Sequence, residues 1–201
     1  MIAILDYDMG NLRSVSKAVE HVGGKCQVTR DPAVVAKADK LILPGVGAFK
    51  DCMENLRSYR LIEAIREFID SGRPFLGICL GMQLLMDESE EGGTHSGLGI
   101  IPGKVLRFSS EAGIKVPHMG WNQLKVAAKS DLFSEMEAEY VYFVHSYYVV
   151  PKHPRKVVAA TTDYGLRFAA ALEQENIFAT QFHPEKSQKV GLALLGRFVK
   201  L

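Results

Sequence analysis

Two short stretches carry residue types that can do covalent chemistry: a cysteine between glycines, Gly77-Ile78-Cys79-Leu80-Gly81, and, far along the chain, His183-Pro184-Glu185. The first follows the apolar Phe75-Leu76 and leads into Met82-Gln83, the pattern of a strand that turns sharply into a helix beginning near Leu80. That is a nucleophile elbow bearing a thiol. Small residues at 77 and 81 suit a place where backbone crowds against neighbouring elements. The turn would hold Cys79 exposed above a sheet, where free N–H groups and the positive end of a helix favour thiolate over thiol. A buried, unreactive core cysteine fits the same turn. A thiol nucleophile needs a base, and the base needs an orienting group. If the His183 segment is extended, residues two apart share a side, so the imidazole and the Glu185 carboxylate can meet while Pro184 stiffens the turn. The same three residues also read as a surface loop in which Glu185 caps the terminal helix.

Pro44-Gly45-Val46-Gly47 adds a glycine loop after an apolar strand, where the backbone can approach a ligand. With the Leu80 N–H it could offer paired donors to a tetrahedral oxyanion; an ordinary turn before a helix has the same composition. Without a Lys-Ser/Thr ending it is no phosphate loop. Gln83 lies one helical turn beyond Cys79, within reach of a small polar substrate or facing solvent. His145-Ser146-Tyr147 closes an alternating strand, and its backbone could pair with a substrate; a satisfied structural histidine is the other reading. His118, Trp121 and Asn122 fall in a bulky, polar cluster that suits a contact surface or a packed loop.

The elements that must position these groups alternate in the first half of the chain. Ile2 to Leu5, Lys25 to Thr29 and Leu41 to Leu43 read as strands. Between them lie a helix with Leu12, Val15, Val19 and Val22 at helical spacing, stopped by Gly23-Gly24, and a short helix opened by Asp31-Pro32. Amphipathic helices with Ile62, Ile65 and Phe68-Ile69 on one stripe then lead to the elbow strand. Buried strands alternating with helices predict an α/β fold, a mainly parallel sheet with helices on both faces. Glu88 to Gly99 reads as an acidic surface loop. Ile100 to Phe108, Trp121 to Val126, Tyr140 to Val150, Lys156 to Thr161 and Phe168 to Glu173 read as strands that extend the sheet in mixed or antiparallel fashion. Ile177 to Phe182 makes a last strand, and a helix from about Ser187 carries Val190, Leu194 and Phe198 on one face.

A chain of 201 residues is expected to form one domain, residues 1–201, burying roughly 70% of its unfolded surface. Lys+Arg 24 against Asp+Glu 23 gives a net charge of +1, so no global field draws nucleic acid or an anionic membrane. Three widely spaced cysteines, Cys26, Cys52 and Cys79, show no metal-ligand spacing and predict a reducing, cytoplasmic setting. No leader is expected from Met1 to Asp6, and no stretch reaches transmembrane length.

Pro44-Gly45-Val46-Gly47, Gly77-Ile78-Cys79-Leu80-Gly81-Met82-Gln83 and Gln181-Phe182-His183-Pro184-Glu185-Lys186, in that order, resemble the class I, or triad, glutamine amidotransferases over essentially the whole chain. Asp6-Tyr7-Asp8-Met9-Gly10-Asn11-Leu12, Val46, Pro117-His118-Met119-Gly120-Trp121-Asn122 and His145-Ser146-Tyr147 are similar to the glutaminase subunits of imidazole glycerol phosphate synthases in particular. The resemblance implies a fold of that family and a Cys-His-Glu triad of Cys79, His183 and Glu185. It implies that Gly47, Gln83, His145, Ser146 and Tyr147 hold glutamine, with the Leu80 N–H in the oxyanion hole. It implies no metal or cofactor, and ammonia passed to a (β/α)₈-barrel cyclase partner in a heterodimer, with Asn11, Trp121 and Lys186 facing that partner. Two other readings stand beside it: the glutaminase of another synthase, whose members usually show adjacent glycines where this chain has Val46 between them, and a catalytically silent binding module on the same fold.

Overall fold

A computed structural model describes residues 1–109, 113–127, 130 and 132–201. Its first half is β1 (Ile2–Leu5), α1 (Leu12–His21), β2 (Cys26–Thr29), α2 (Pro32–Lys37), β3 (Lys40–Gly45), α3 (Phe49–Ser58), α4 (Leu61–Asp70) and β4 (Phe75–Cys79). Local chemistry accounts for several of these boundaries. The Asp31 carboxylate accepts from the Ala33 N–H at 2.8 Å and so caps α2, with Pro32 at its first position. Gly72, at φ +75°, follows the end of α4 in a left-handed conformation that glycine adopts freely.

The strands pair in the order β2-β1-β3-β4 and all run parallel. Their side chains point alternately to the two faces, and both faces are buried. Ala3 and Leu5 join one core cluster with residues of α2, α3 and α4, whereas Ile2 and Ile4 join another with residues of α1 and the C-terminal helix. The α/β architecture with a mainly parallel sheet and helices on both faces is therefore borne out.

The second half comprises α5 (Leu80–Gln83), β5 (Glu88–Ser89), β6 (His95–Ser96), β7 (Gly103–Arg107), β8 (His118–Gln123), β9 (Lys125–Val126), β10 (Tyr140–His145), β11 (Tyr147–Pro151), α6 (Pro154–Val157), β12 (Val158–Tyr164), β13 (Leu166–Gln174), β14 (Ile177–Thr180) and α7 (Gln188–Lys200). Strand β14 adds to β4 in parallel, and β13, β12 and β9 continue the sheet antiparallel. The expected extension is thus only part of what the second half builds. Strands β11, β7, β5 and β6 form a separate sheet, and β10 and β8 form a third.

Four local readings need correction, the first being Trp121 to Val126, which is split between β8, paired with β10, and β9, paired with β12 at the edge of the main sheet. The run Tyr140 to Val150 is two strands, because the chain leaves β8 at His145 and pairs with β7 from Tyr147 onward. Its hydrophobic alternation carries no mark of that change, since the partners are distant in sequence. The stretch from Glu88 to Gly99 is not only loop: it contributes β5 and β6, and Ser89 and Leu98 are fully buried. The strand expected from Lys156 begins only at Val158, after the single turn of α6. Among the described residues no helix is long and apolar enough to cross a membrane.

Candidate functional site

Strand β4 is buried along its whole length and ends at Cys79, whose φ of 54° and ψ of −106° lie outside the regions that side-chain-bearing residues favour. The reversal is possible because Gly81 passes against β3: a Cβ there would stand 2.0 Å from the Leu43 carbonyl oxygen. Glycine at 81 is required by this close approach of backbone to backbone. The helix expected to begin near Leu80 is the single turn α5, which presents its free N–H groups beside Cys79 but little helix dipole. Nor is the thiol exposed. Cys79 is 6% accessible and forms part of a cavity of about 330 Å³, in the size range of small-molecule sites.

His183 reaches the same cavity from the loop after β14. Its backbone is fixed from two sides: its N–H donates to the Tyr142 carbonyl at 3.0 Å, and its carbonyl accepts from the Ser187 hydroxyl at 2.7 Å. His183 Nδ1 lies 2.9 Å from Glu185 Oε1, with both side chains almost wholly buried. The two meet across a 3₁₀ turn, Pro184–Lys186, not along the extended segment that simple alternation implies. His183 itself is extended at the start of that turn, and Glu185 lies inside it. Glu185 is also not the cap of α7, which is entered through Ser187.

Burial alone would push the His183 imidazole down, but the Cys79 sulfur and the Glu185 carboxylate override it and carry its pKa up to about 10. With Nδ1 committed to Glu185, His183 Nε2 is left buried without a hydrogen-bond partner among the described residues. A thiol, an imidazole with a raised pKa and its buried Nε2 thus share one enclosure, an arrangement able to support nucleophilic chemistry.

Of the remaining expected site residues, Gly47, Leu80, Gln83, His145, Ser146 and Tyr147 all line the cavity. Lys186, assigned from the resemblance to a partner surface, lines it too. Asn11 and Trp121 do not. Trp121 stands on β8 with 46% of its surface accessible, and Asn11 begins α1 beside the Gly10–Pro44 contact. Gly47 adopts φ +98°, which few other residues would accept. The neighbouring Val46 N–H donates to the Met9 carbonyl at 3.1 Å and is therefore engaged away from any substrate.

Gln83 is not solvent-facing. It is 4% accessible, and its Nε2 donates to the Tyr147 carbonyl and to Gln181 Oε1, each at 3.0 Å. Gln181 in turn directs its Nε2 at Cys79 Sγ, 3.7 Å away. Sequence reasoning quoted Gln181 in a motif without giving it a role; the available signal was its spacing, two residues before His183, at the end of a buried strand. Glu91 was missed as well, because its stretch reads as surface. It lines the cavity, and its Oε2 accepts from the Phe49 N–H at 2.8 Å. Among the described residues no cluster of His, Cys, Asp or Glu is built to hold a metal ion.

Comparison with known proteins bears on the family and the fold. Residues 3–200 match the family model described as glutamine amidotransferase class-I. The chain is 59% identical to the imidazole glycerol phosphate synthase subunit HisH of Syntrophotalea carbinolica, covering 98% of each. It is 56% identical to the protein of the same name from Geobacter sulfurreducens, covering 98% of this chain and 97% of the relative. Among solved structures, a glutamine amidotransferase superposes with TM-score 0.73 at 20% identity, over 100% of this chain and 99% of that one. PurLQS from Thermotoga maritima gives 0.72 at 20% identity, over 99% and 94%. At these identities the solved structures speak for the fold, whereas the family model and the full-length relatives speak for descent: the chain belongs to the class-I glutamine amidotransferase family.

Proposed function

We propose that the cavity binds glutamine and hydrolyses its side-chain amide through Cys79, His183 and Glu185, releasing ammonia to a cyclase partner. The chain is the glutaminase subunit of imidazole glycerol phosphate synthase, in histidine biosynthesis. The observation that carries the mechanism is the buried His183–Glu185 pair, whose His183 lines one cavity with Cys79, where the Cys79 sulfur helps to raise the His183 pKa. The Cys79 thiolate attacks the amide carbon, forming a C–S bond and a tetrahedral oxyanion. The intermediate collapses as His183 gives its Nε2 proton to the departing nitrogen, so that ammonia leaves and a γ-glutamyl thioester remains. Neutral His183 then takes a proton from water, hydroxide attacks the thioester, and glutamate departs with the thiolate restored. Glu185 holds the ring and favours its charged form. The Leu80 N–H is one oxyanion donor in this scheme. Gly47, Gln83, His145, Ser146 and Tyr147 hold the amino-acid end of glutamine.

The relatives are named as subunits of a synthase, and a partner subunit follows for this chain. A (β/α)₈-barrel cyclase, docked beside Asn11, Trp121 and Lys186, is the partner the resemblance supports, in a cytoplasmic setting. The Val46 N–H, spent on Met9, is a second oxyanion donor that becomes available if the Gly45–Gly47 backbone turns over. Docking of a partner loaded with its nucleotide would supply the free energy for that change. Glutamine hydrolysis measured alone and with the cyclase subunit and its nucleotide ligand tests the reading. Activation of about 10²-fold or more is expected, the effect of one oxyanion donor. Equal activation by an unrelated synthase subunit, or full activity of the isolated chain, would contradict it.

A further inference from the structure

A run of hydrogen bonds enters the cavity wall from β8 and reaches the backbone that holds the substrate. In the β8–β10 ladder His118 stands opposite His145. Their rings are joined from His118 Nδ1 to His145 Nε2 at 3.0 Å, and His145 Nδ1 lies 2.8 Å from the Tyr147 carbonyl. At the other end His118 Nε2 lies 3.2 Å from the Asn122 amide nitrogen. The protons can be placed in only one way. A carbonyl only accepts, so His145 carries its proton on Nδ1 and presents a bare Nε2. His118 must then donate from Nδ1, which leaves its Nε2 to accept from Asn122. That amide is oriented independently, since Asn122 Oδ1 accepts from the Gln123 N–H at 2.8 Å and its nitrogen donates to the Asp163 carbonyl at 3.1 Å.

Neither ring has room to choose otherwise. His118 is 3% accessible and lies stacked between Phe143 and Tyr164, ring centroids 4.8 and 4.0 Å away. Burial pushes the pKa of His118 down to about 4 and that of His145 to about 3, so both stay neutral where the enzyme works.

From this geometry we infer that His118 is a positioning residue for glutamine: by donating to His145 it fixes the His145–Ser146–Tyr147 segment that lines the cavity. This rests on the proposed reading of the cavity as the glutamine site. Without the His118 donor, His145 Nε2 loses its partner and the ring is held only through Nδ1 on the Tyr147 carbonyl, which loosens the His145–Ser146–Tyr147 segment. The pocket then binds substrate less well, while the distance from Cys79 to the bound amide carbon changes little.

The test uses the complex with the cyclase subunit and its nucleotide ligand. His118→Phe keeps the ring stack and removes both hydrogen bonds; it is expected to raise KM for glutamine about tenfold, the order of one lost hydrogen bond, with kcat altered less than about twofold. His118→Gln, whose amide can still donate, is expected to recover most of that loss. Asn122→Ala, which leaves both histidines in place, is expected to raise KM about threefold by removing the donor to His118 Nε2 and so loosening that ring. Nitrogen-15 spectra of the histidine side chains without substrate should show His145 protonated at Nδ1 in the native chain and in His118→Phe, with the Nε2 resonance shifted in the variant by loss of the hydrogen bond it accepts. A folded His118→Phe with unchanged KM, a lowered melting temperature with unchanged KM in both His118 variants, or a native His145 protonated at Nε2 would overturn the inference. Absence of glutamine hydrolysis by the native complex would instead defeat the glutaminase reading, and the positioning role with it.

Discussion

Cys79→Ala should abolish ligand-activated ammonia release, lowering kcat in the complex by about 10⁴-fold or more, because no other group supplies the attacking atom. Cys26 and Cys52 are free thiols too, but neither can substitute. Cys26 is not among the residues that line the cavity. Cys52 is fully buried under the glycine loop, its Sγ 3.7 Å from the Val46 carbonyl, and desolvation pushes its pKa up to about 12, which keeps it an unreactive thiol. The substitution also exposes the cost of the elbow. Alanine at 79 keeps the unfavourable φ of 54°, so Cys79→Ala should gain little stability. Cys79→Gly relieves strain of about 1–3 kcal/mol against about 0.5–1 kcal/mol of added chain entropy. It should therefore melt above Cys79→Ala while remaining equally inactive, as compared by thermal unfolding. A glycine variant less stable than the alanine one would mean that the backbone at 79 is not strained.

Glu185→Gln should lower kcat by about 10² to 10⁴-fold while changing KM far less, in line with other orienting carboxylates. The shape of the residue is kept while the charge is lost and an amide donor can face Nδ1, so the effect combines lost electrostatic support with a changed tautomer. Glu185 is one of two groups that raise the His183 pKa against its own burial. Its loss should bring that pKa down from about 10, a fall readable by nitrogen-15 titration of the ring. The sign for stability follows. A histidine raised from about 6.5 in the unfolded chain to about 10 in the fold adds stability that is fully present below pH 6.5 and lost as pH rises through about 10. Denaturation of the native chain should show that loss on the alkaline side, and Glu185→Gln should show less of it. An unchanged His183 titration would mean that Glu185 does not hold the ring charged.

Much of the fold and of the grouping of Cys79, His183 and Glu185 was legible in the sequence, because the responsible signals are local. Buried strands such as Ile2 to Leu5, the Asp31-Pro32 start of α2 and Gly72 past the end of α4 announce themselves within a few residues. The glycines at 77 and 81 mark the elbow for the reason the structure shows: backbone meets backbone there. What stayed hidden depends on partners remote in the chain. Nothing near Ser146 says that β10 and β11 belong to different sheets. The burial of Cys79 follows from walls contributed by residues 144–147, far from the elbow. The His183–Glu185 pair was anticipated from alternation but is made by a turn, so the contact was foreseen and its geometry was not. Gln181 and His118 escaped because a buried polar residue declares its role only through the groups it meets, here Cys79, Gln83 and His145.

The central claim is that glutamine is cleaved through a thioester on Cys79, and the covalent intermediate itself tests it most directly. The complex with the cyclase subunit and its nucleotide ligand, mixed with glutamine and quenched in acid within a turnover, should yield a γ-glutamyl group on the peptide that contains Cys79. The adduct should be absent from Cys79→Ala and should accumulate when hydrolysis is slowed by Glu185→Gln. Ammonia released at the native rate with no adduct on that peptide, or with the adduct on Cys26 or Cys52, would contradict the account.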